Sequence, residues 1–168
     1  VNFNSIEEKL NEKLQLFNNS EKLIYCQDQE NCNELIQDFA KKHKVQLVSW
    51  SKINSDADLY ISDLVKTKRV TRVQATYDNQ KLFFTIPFID DASIENALHT
   101  SLAALTVGLD KGTVQHNIEL LDPVAMRLEM KGGRQGNVVV NDVYNSDVES
   151  LRVALDFLDQ QVGDRKKV

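Results

Sequence analysis

The sequence predicts an α/β chain: parallel strands with helices, then an antiparallel hairpin, then the first strand and helix of another domain. Three observations predict it. Over residues 5–50, helix-period apolar residues alternate with short strand-like runs. Between residues 70 and 87, two β-rich runs flank a turn-forming tripeptide. After Asp122-Pro123 the pattern restarts as strand, glycine turn, strand and helix.

Ile6, Leu10, Leu14 and Phe17 recur at helical spacing and predict a helix over 5–17. Leu23 to Cys26 predicts a strand, Asn31 to Lys42 a second helix, and Val45 to Trp50 a second strand. That rhythm implies parallel pairing. Val70–Tyr77 and Lys81–Pro87 form the hairpin, turning at Asp78-Asn79-Gln80. Asp91 or Ser93 caps a helix reaching about Val107, and Lys111–Leu121 forms another. Proline disfavours helix in the residue before it, so Asp122-Pro123 marks a break and the expected domain boundary. Beyond it come a strand near Met126–Met130, a turn at Lys131-Gly132-Gly133, a strand over Asn137–Val143 and a helix over Asp147–Gln160. The stretch Ser49–Asp58 fits no recognised pattern. Val1 in place of a starting Met, and a lone strand–helix pair as the last strong element, predict a segment of a longer protein.

A net charge of -5 argues against a broad nucleic-acid footprint. No apolar run approaches a membrane span, so membrane insertion is not expected. Cys26 and Cys32 lack metal-site spacing and read as free thiols of a reducing, cytoplasmic compartment. No Gly-x-x-x-x-Gly-Lys-Ser/Thr loop occurs, which excludes a free-standing P-loop ATPase.

Several residues can carry chemistry. Lys13 falls on the wheel among Ile6, Leu10, Leu14 and Phe17. Its stem either packs while the ammonium reaches water, or desolvation favours a neutral amine. Such an amine reacts with carbon dioxide to a carbamate that can help hold Mg²⁺. Asp142 ends the run Val138-Val139-Val140, where strand ends of α/β sheets meet ligands. It can accept from ribose hydroxyls or bond its own turn backbone. Arg127 alternates with Ala125, Glu129 and Lys131 and reads alone as a solvated charge. Asn96, near a helix start, can pair with an adenine edge or bond locally. His43, His99 and His116 show no metal or triad spacing.

Four segments, in one consistent order, resemble the Mur ligase family. Glu12-Lys13-Leu14-Gln15-Leu16-Phe17 and the strand to Asp28 look like its Ala-Lys-x-x-Leu/Ile-Phe helix and Asn-Ala-Asp strand. Asp91-Ala92-Ser93-Ile94-Glu95-Asn96-Ala97-Leu98 looks like its His-Asn-x-x-Asn-Ala-Leu helix start, with Ala92 and Ser93 replacing His-Asn. Pro123-Val124-Ala125-Met126-Arg127-Leu128 resembles its Gly-Arg linker. Asn141-Asp142-Val143-Tyr144-Asn145-Ser146-Asp147 resembles Asp-Asp-Ser-Tyr-Asn-Ala-Asn, whose Tyr-Asn pair marks the branch adding D-alanyl-D-alanine.

The resemblance implies that residues 1–122 are the later half of an ATPase domain without its P-loop. It implies that 123–168 are the linker and the start of a Rossmann-like C-terminal ligase domain. Lys13 is then the carbamylated catalytic and metal-organising residue. Asn96, Arg127, Asp142, Tyr144 and Asn145 are then the nucleotide-binding residues. The implied cofactors are ATP and Mg²⁺, and the implied substrates are UDP-N-acetylmuramoyl-tripeptide and D-alanyl-D-alanine, joined through an acyl phosphate. The segment alone is expected to be inactive. Two other readings stand beside this one: a folylpolyglutamate synthetase-like ligase, against which the Tyr144-Asn145 pair argues, and a non-catalytic interaction domain of the same fold.

Overall fold

The computed structural model describes residues 3–122, 127–144 and 148–162. The chain divides into two compact units, Val1–Glu119 and Leu120–Val168. Among the described residues no helix is long and apolar enough to cross a membrane.

The first unit opens with helix α1, Ile6–Leu14, followed by a 3-10 turn over Gln15–Phe17. Ser5 caps α1 by accepting from the Glu8 N–H, and the Glu8 carboxylate reaches back to the Asn4 N–H at 2.8 Å, a variant of the capping box. Strand β1 (Lys22–Cys26), helix α2 (Glu30–His43) and strand β2 (Gln46–Ser51) then form a strand–helix–strand unit in which β1 and β2 are parallel. Lys44, in the left-handed region at φ 58°, ends α2, and Val45 donates back to the Ala40 carbonyl.

Strand alternation sorts the helices. Leu23, Tyr25 and Leu47 share one face of the sheet with Leu10, Leu14, Ile36 and Phe39 of α1 and α2. Cys26 and Trp50 are paired in register and face the other way, toward helix α3 (Asp91–Thr106), whose His99 meets Trp50. Ile94, Leu98 and Leu102 of α3 are essentially inaccessible. Each such side chain contributes roughly 1.5–3 kcal/mol by leaving water.

The sheet has five strands in the order β1-β2-β3-β4-β5. Strand β3 (Leu59–Lys66) was not anticipated from the sequence. It runs parallel to β2 but pairs only through Trp50↔Leu59 and Ser51↔Tyr60. A full parallel pair needs a long crossover. Here the start of β3 meets only the end of β2, so the short link 52–58 suffices. Strands β4 (Thr71–Tyr77) and β5 (Gln80–Ile86) continue the sheet antiparallel. The β4–β5 turn has two central residues, Asp78 (φ 50°) and Asn79 (φ 56°), with Gln80 already paired to Tyr77. Helix α4 (Lys111–Glu119) packs on β5, where Gln115 donates to the Phe83 carbonyl and so occupies part of the sheet's edge. The cap of α3 is Asp90, which accepts from the Ser93 N–H at 2.8 Å, in place of the expected Asp91 or Ser93.

In the second unit, β6 (Glu129–Gly132) and β7 (Val138–Asn141) form an antiparallel pair, joined through a 3-10 turn at Arg134–Gly136. The turn therefore lies beyond the expected Lys131-Gly132-Gly133. Helix α5 spans Val148–Val162.

Candidate functional site

Arg127, Asp142 and Tyr144 meet at the open end of the β6–β7 pair. The register Glu129↔Asn141 places Leu128 opposite Asp142 and Arg127 opposite Val143, next to Tyr144. Where the backbone ladder stops, the Asp142 carboxylate accepts from the Leu128 N–H at 3.2 Å. Leu128 itself is held at φ 44°. That left-handed conformation costs a bulky residue about 1–2 kcal/mol and persists only when its surroundings fix it. One rung inward, Asn141 Nδ2 donates to Glu129 Oε2 at 3.0 Å, and Lys131 Nζ lies 3.1 Å from the same oxygen. The Arg127 guanidinium lies over the Tyr144 ring, 4.8 Å from its centroid. Among the described residues no carboxylate stands within salt-bridge distance of Arg127. Arg127 therefore precedes β6 as a stacked, exposed cation rather than standing on the polar face of an alternating strand. Asp142 does bond backbone, but that of Leu128 across the hairpin and not of its own turn. Asn145, and Pro123 to Met126 of the linker motif, lie outside the described residues.

In the first unit the remaining candidates stay apart. Lys13 is exposed, as is Ile6, while Leu14 is buried and Leu10 and Phe17 are partly so. The expected place of Lys13 inside the apolar stripe is thus corrected to the border of that stripe. Asn96 occupies the second turn of α3 and is exposed. Its carbonyl accepts from the Thr100 hydroxyl, and among the described residues its carboxamide makes no hydrogen bond. The local helix-start bond considered for Asn96 is not formed. Lys13 and Asn96 sit on helices covering opposite faces of the sheet.

The structure also assembles a cluster that the sequence reading missed. At the carboxyl ends of β1 and β2, Asp28 accepts from the Ser51 hydroxyl and from the Lys52 N–H. Ser51 Oγ in turn accepts from the N–H groups of Ile53 and Asn54, and Asn54 Nδ2 donates to Gln27 Oε1. Asp58 accepts from the Ser49 N–H at 2.8 Å, standing in for a ladder partner just before β3 begins. The clue was present in Asn54-Ser55-Asp56, whose Asn54 side chain accepts from the Asp56 N–H as an Asx turn. Trp50 is wholly buried, with His99 edge-on at 5.3 Å and Lys52 Nζ 5.7 Å from its ring centroid. Burial pushes the Cys26 thiol up, and the nearby carboxylates of Asp28 and Glu95 add to the shift. Cys26 is thus a packed thiol rather than a nucleophile.

The family model described as the Mur ligase middle domain matches residues 2–104. A curated relative, the UDP-N-acetylmuramoyl-tripeptide–D-alanyl-D-alanine ligase of Buchnera aphidicola subsp. Baizongia pistaciae, is 20% identical over 111 residues, 66% of this chain and 24% of that protein. A crystal structure of MurF from Acinetobacter baumannii superposes with a TM-score of 0.79 at 20% identity, covering 95% of this chain and 34% of the other. Folylpolyglutamate synthetase from Lactobacillus casei superposes with a TM-score of 0.71 at 12% identity, covering 98% and 41%. The chain thus spans about a quarter of the curated relative's length and about a third of the MurF chain.

Proposed function

This chain belongs to the Mur ligase middle-domain family, and we propose that it carries nucleotide-contacting residues of an ATP-dependent ligase joining D-alanyl-D-alanine to UDP-N-acetylmuramoyl-tripeptide. One observation carries the reading. Arg127 and Asp142, from two motifs separated along the chain, stand at one end of one hairpin together with Tyr144. We read residues 1–122 as the later part of the ATPase domain, and 123–168 as the linker and opening strand–helix unit of the ligase domain.

The residues present fit part of a nucleotide. Arg127 offers in-plane N–H donors suited to phosphate oxygens. Asp142 keeps lone pairs for ribose hydroxyls beside its bond to Leu128. The exposed Asn96 carboxamide offers a donor and an acceptor to an adenine edge. The phosphate cradle is not in this sequence, which holds no P-loop pattern. ATP, when bound, supplies the phosphoryl group that activates the tripeptide carboxylate as an acyl phosphate. This chain's part is to hold the nucleotide and to fix one cation near its phosphates. Lys13, as a carbamate, would give Mg²⁺ one anionic oxygen ligand. Among the described residues no cluster of three or more metal-binding side chains forms, so the other ligands on this reading come from elsewhere in the ligase.

The folylpolyglutamate synthetase reading shares the architecture. The Tyr144-Asn145 pair favours the D-alanyl-D-alanine branch, and an assay of the acceptor amine separates the two. Consumption of glutamate instead of D-alanyl-D-alanine by the full-length ligase would reverse the choice. The main test is kinetic. In that ligase, Arg127→Ala and Asp142→Ala each raise KM for ATP by about tenfold or more, as expected for losing a charge-assisted hydrogen bond, and leave KM for the dipeptide nearly unchanged. Equal effects on both substrates return these residues to a structural role. By calorimetry, the 168-residue chain alone binds Mg²⁺-ATP weakly or not at all.

A further inference from the structure

We infer that Tyr144 is a positioning residue, whose ring holds the Arg127 guanidinium at the open end of the β6–β7 pair with its N–H donors left uncommitted for a phosphate. The inference rests on the reading that Arg127 contacts the nucleotide.

Arg127 is exposed, and an exposed arginine samples many rotamers, which dilutes any one binding geometry. Two contacts counter this. The Asp142 carboxylate fixes the backbone from the Leu128 side at 3.2 Å. The Tyr144 ring then captures the far end of the side chain, with Cζ 4.8 Å from its centroid. The kind of capture matters. A carboxylate partner would take guanidinium N–H groups and cancel the charge. An aromatic face attracts the cation through its quadrupole and takes none of the five in-plane donors. A stacked arginine is therefore oriented yet still able to form a bidentate bond to phosphate oxygens.

Tyr144 is itself 61% exposed, and its hydroxyl makes no hydrogen bond among the described residues. What the ring does at this position is cover Arg127. On this account the Tyr144 ring matters and its hydroxyl does not. The β6–β7 register is what brings the pair together: Arg127 stands opposite Val143, one residue before Tyr144. Asp142, Tyr144 and Arg127 thus act as one device, with Asp142 setting the backbone, Tyr144 the side chain, and Arg127 meeting the ligand.

The test has a spectroscopic arm and a kinetic arm. In the 168-residue chain, the Arg127 δ-methylene protons should be shifted upfield by the Tyr144 ring current. That shift is kept in Tyr144→Phe and lost in Tyr144→Leu. In the full-length ligase, Tyr144→Leu raises KM for ATP about three- to tenfold with kcat within about twofold, while Tyr144→Phe, which keeps the ring, raises it less than Tyr144→Leu does. An unshifted Arg127 in the wild-type chain overturns the inference, and this measurement needs no variant to fold. So does a Tyr144→Leu ligase with unchanged KM for ATP when Arg127→Ala raises it, and in that case the nucleotide reading stands. A Tyr144→Phe ligase as impaired as Tyr144→Leu overturns it too, by assigning the effect to the hydroxyl. If neither Arg127→Ala nor Tyr144→Leu alters KM for ATP, the proposed function falls together with the inference.

Discussion

Replacing Ser51 with alanine isolates the hydrogen-bonded link that joins the parallel and antiparallel parts of the sheet. Ser51 is fully buried and its hydroxyl serves three partners at once. It donates to the Asp28 carboxylate and accepts from the N–H groups of Ile53 (3.0 Å) and Asn54 (2.7 Å). Two neutral bonds of about 1 kcal/mol each and one charge-assisted bond of about 2 kcal/mol give a gross loss of roughly 4 kcal/mol. Ile53 and Asn54 are exposed and Asp28 is only partly covered, so water restores part of this. The expected net cost is about 2 kcal/mol. Urea unfolding followed by fluorescence measures it well, because Trp50 is the only tryptophan and precedes Ser51 in β2. Ile53→Ala, at an 80% exposed position, is the control and should change stability by less than about 0.5 kcal/mol. A double-mutant cycle of Ser51→Ala with Asp28→Ala should show coupling of about 1 kcal/mol. Strict additivity, or a Ser51→Ala midpoint equal to the wild type, would refute the claim that the two side chains form one latch.

Leu98→Ala, at a wholly buried position of α3, should cost about 2–5 kcal/mol in urea unfolding, whereas Ile6→Ala, 61% exposed, should change little. Asp110 caps α4, and its hydrogen bonds from the Thr113 hydroxyl and then from the Thr113 N–H hold its carboxyl below the ordinary value. A depressed folded value means the cap contributes fully above the ordinary carboxylate range and is lost as pH falls through the depressed value. The protection of α4 amides, taken relative to the intrinsic exchange rate at each pH, should therefore fall in acid, and Asp110→Asn should remove that dependence. Lys13→Ala in the full-length ligase should abolish most activity with an unchanged melting temperature, because the side chain is exposed, and a short-chain carboxylic acid should restore part of the rate. A wild-type rate in that variant would remove the carbamate role.

Periodic elements were legible in the sequence and irregular ones were not. The β1, α2, β2 succession follows directly from apolar spacing, and so do β4 and β5. Strand β3 escaped for a physical reason. Its register with β4 shifts between Ile61 and Asp63, so Leu59 and Ile61 are buried but the alternation then breaks, with Leu64 only partly covered. The link before it is ordered by side-chain to backbone bonds from Asp28, Ser51, Asn54 and Asp58, which leave no periodic trace. A wheel over 5–17 places Lys13 in the stripe only if the span is one α-helix that packs through Ile6, which is exposed. The helix in fact tightens to 3-10 at Gln15, and Leu14 carries the buried face.

The hairpin site shows how much a turn can decide. A tight turn centred on Gly132 would have set Arg127 opposite Asn137, well away from Tyr144. The observed pairs Glu129↔Asn141 and Gly132↔Val138 centre the hairpin on Gln135 instead. That residue is at φ 60° and Gly136 at φ 76°. The second of these suits glycine, which has no Cβ to strain there, and open space around Gly136 means that backbone conformation alone sets the cost of a replacement. Moving the centre by three residues carries Arg127 across from Asn137 to Val143. Arg127 and Asp142 are then neighbours because of where the chain turns, and not because either motif specifies the other. The residues proposed to meet the nucleotide thus depend on a turn that contains none of them. A change in that turn would separate Arg127 from Tyr144 and leave both motifs intact in the sequence.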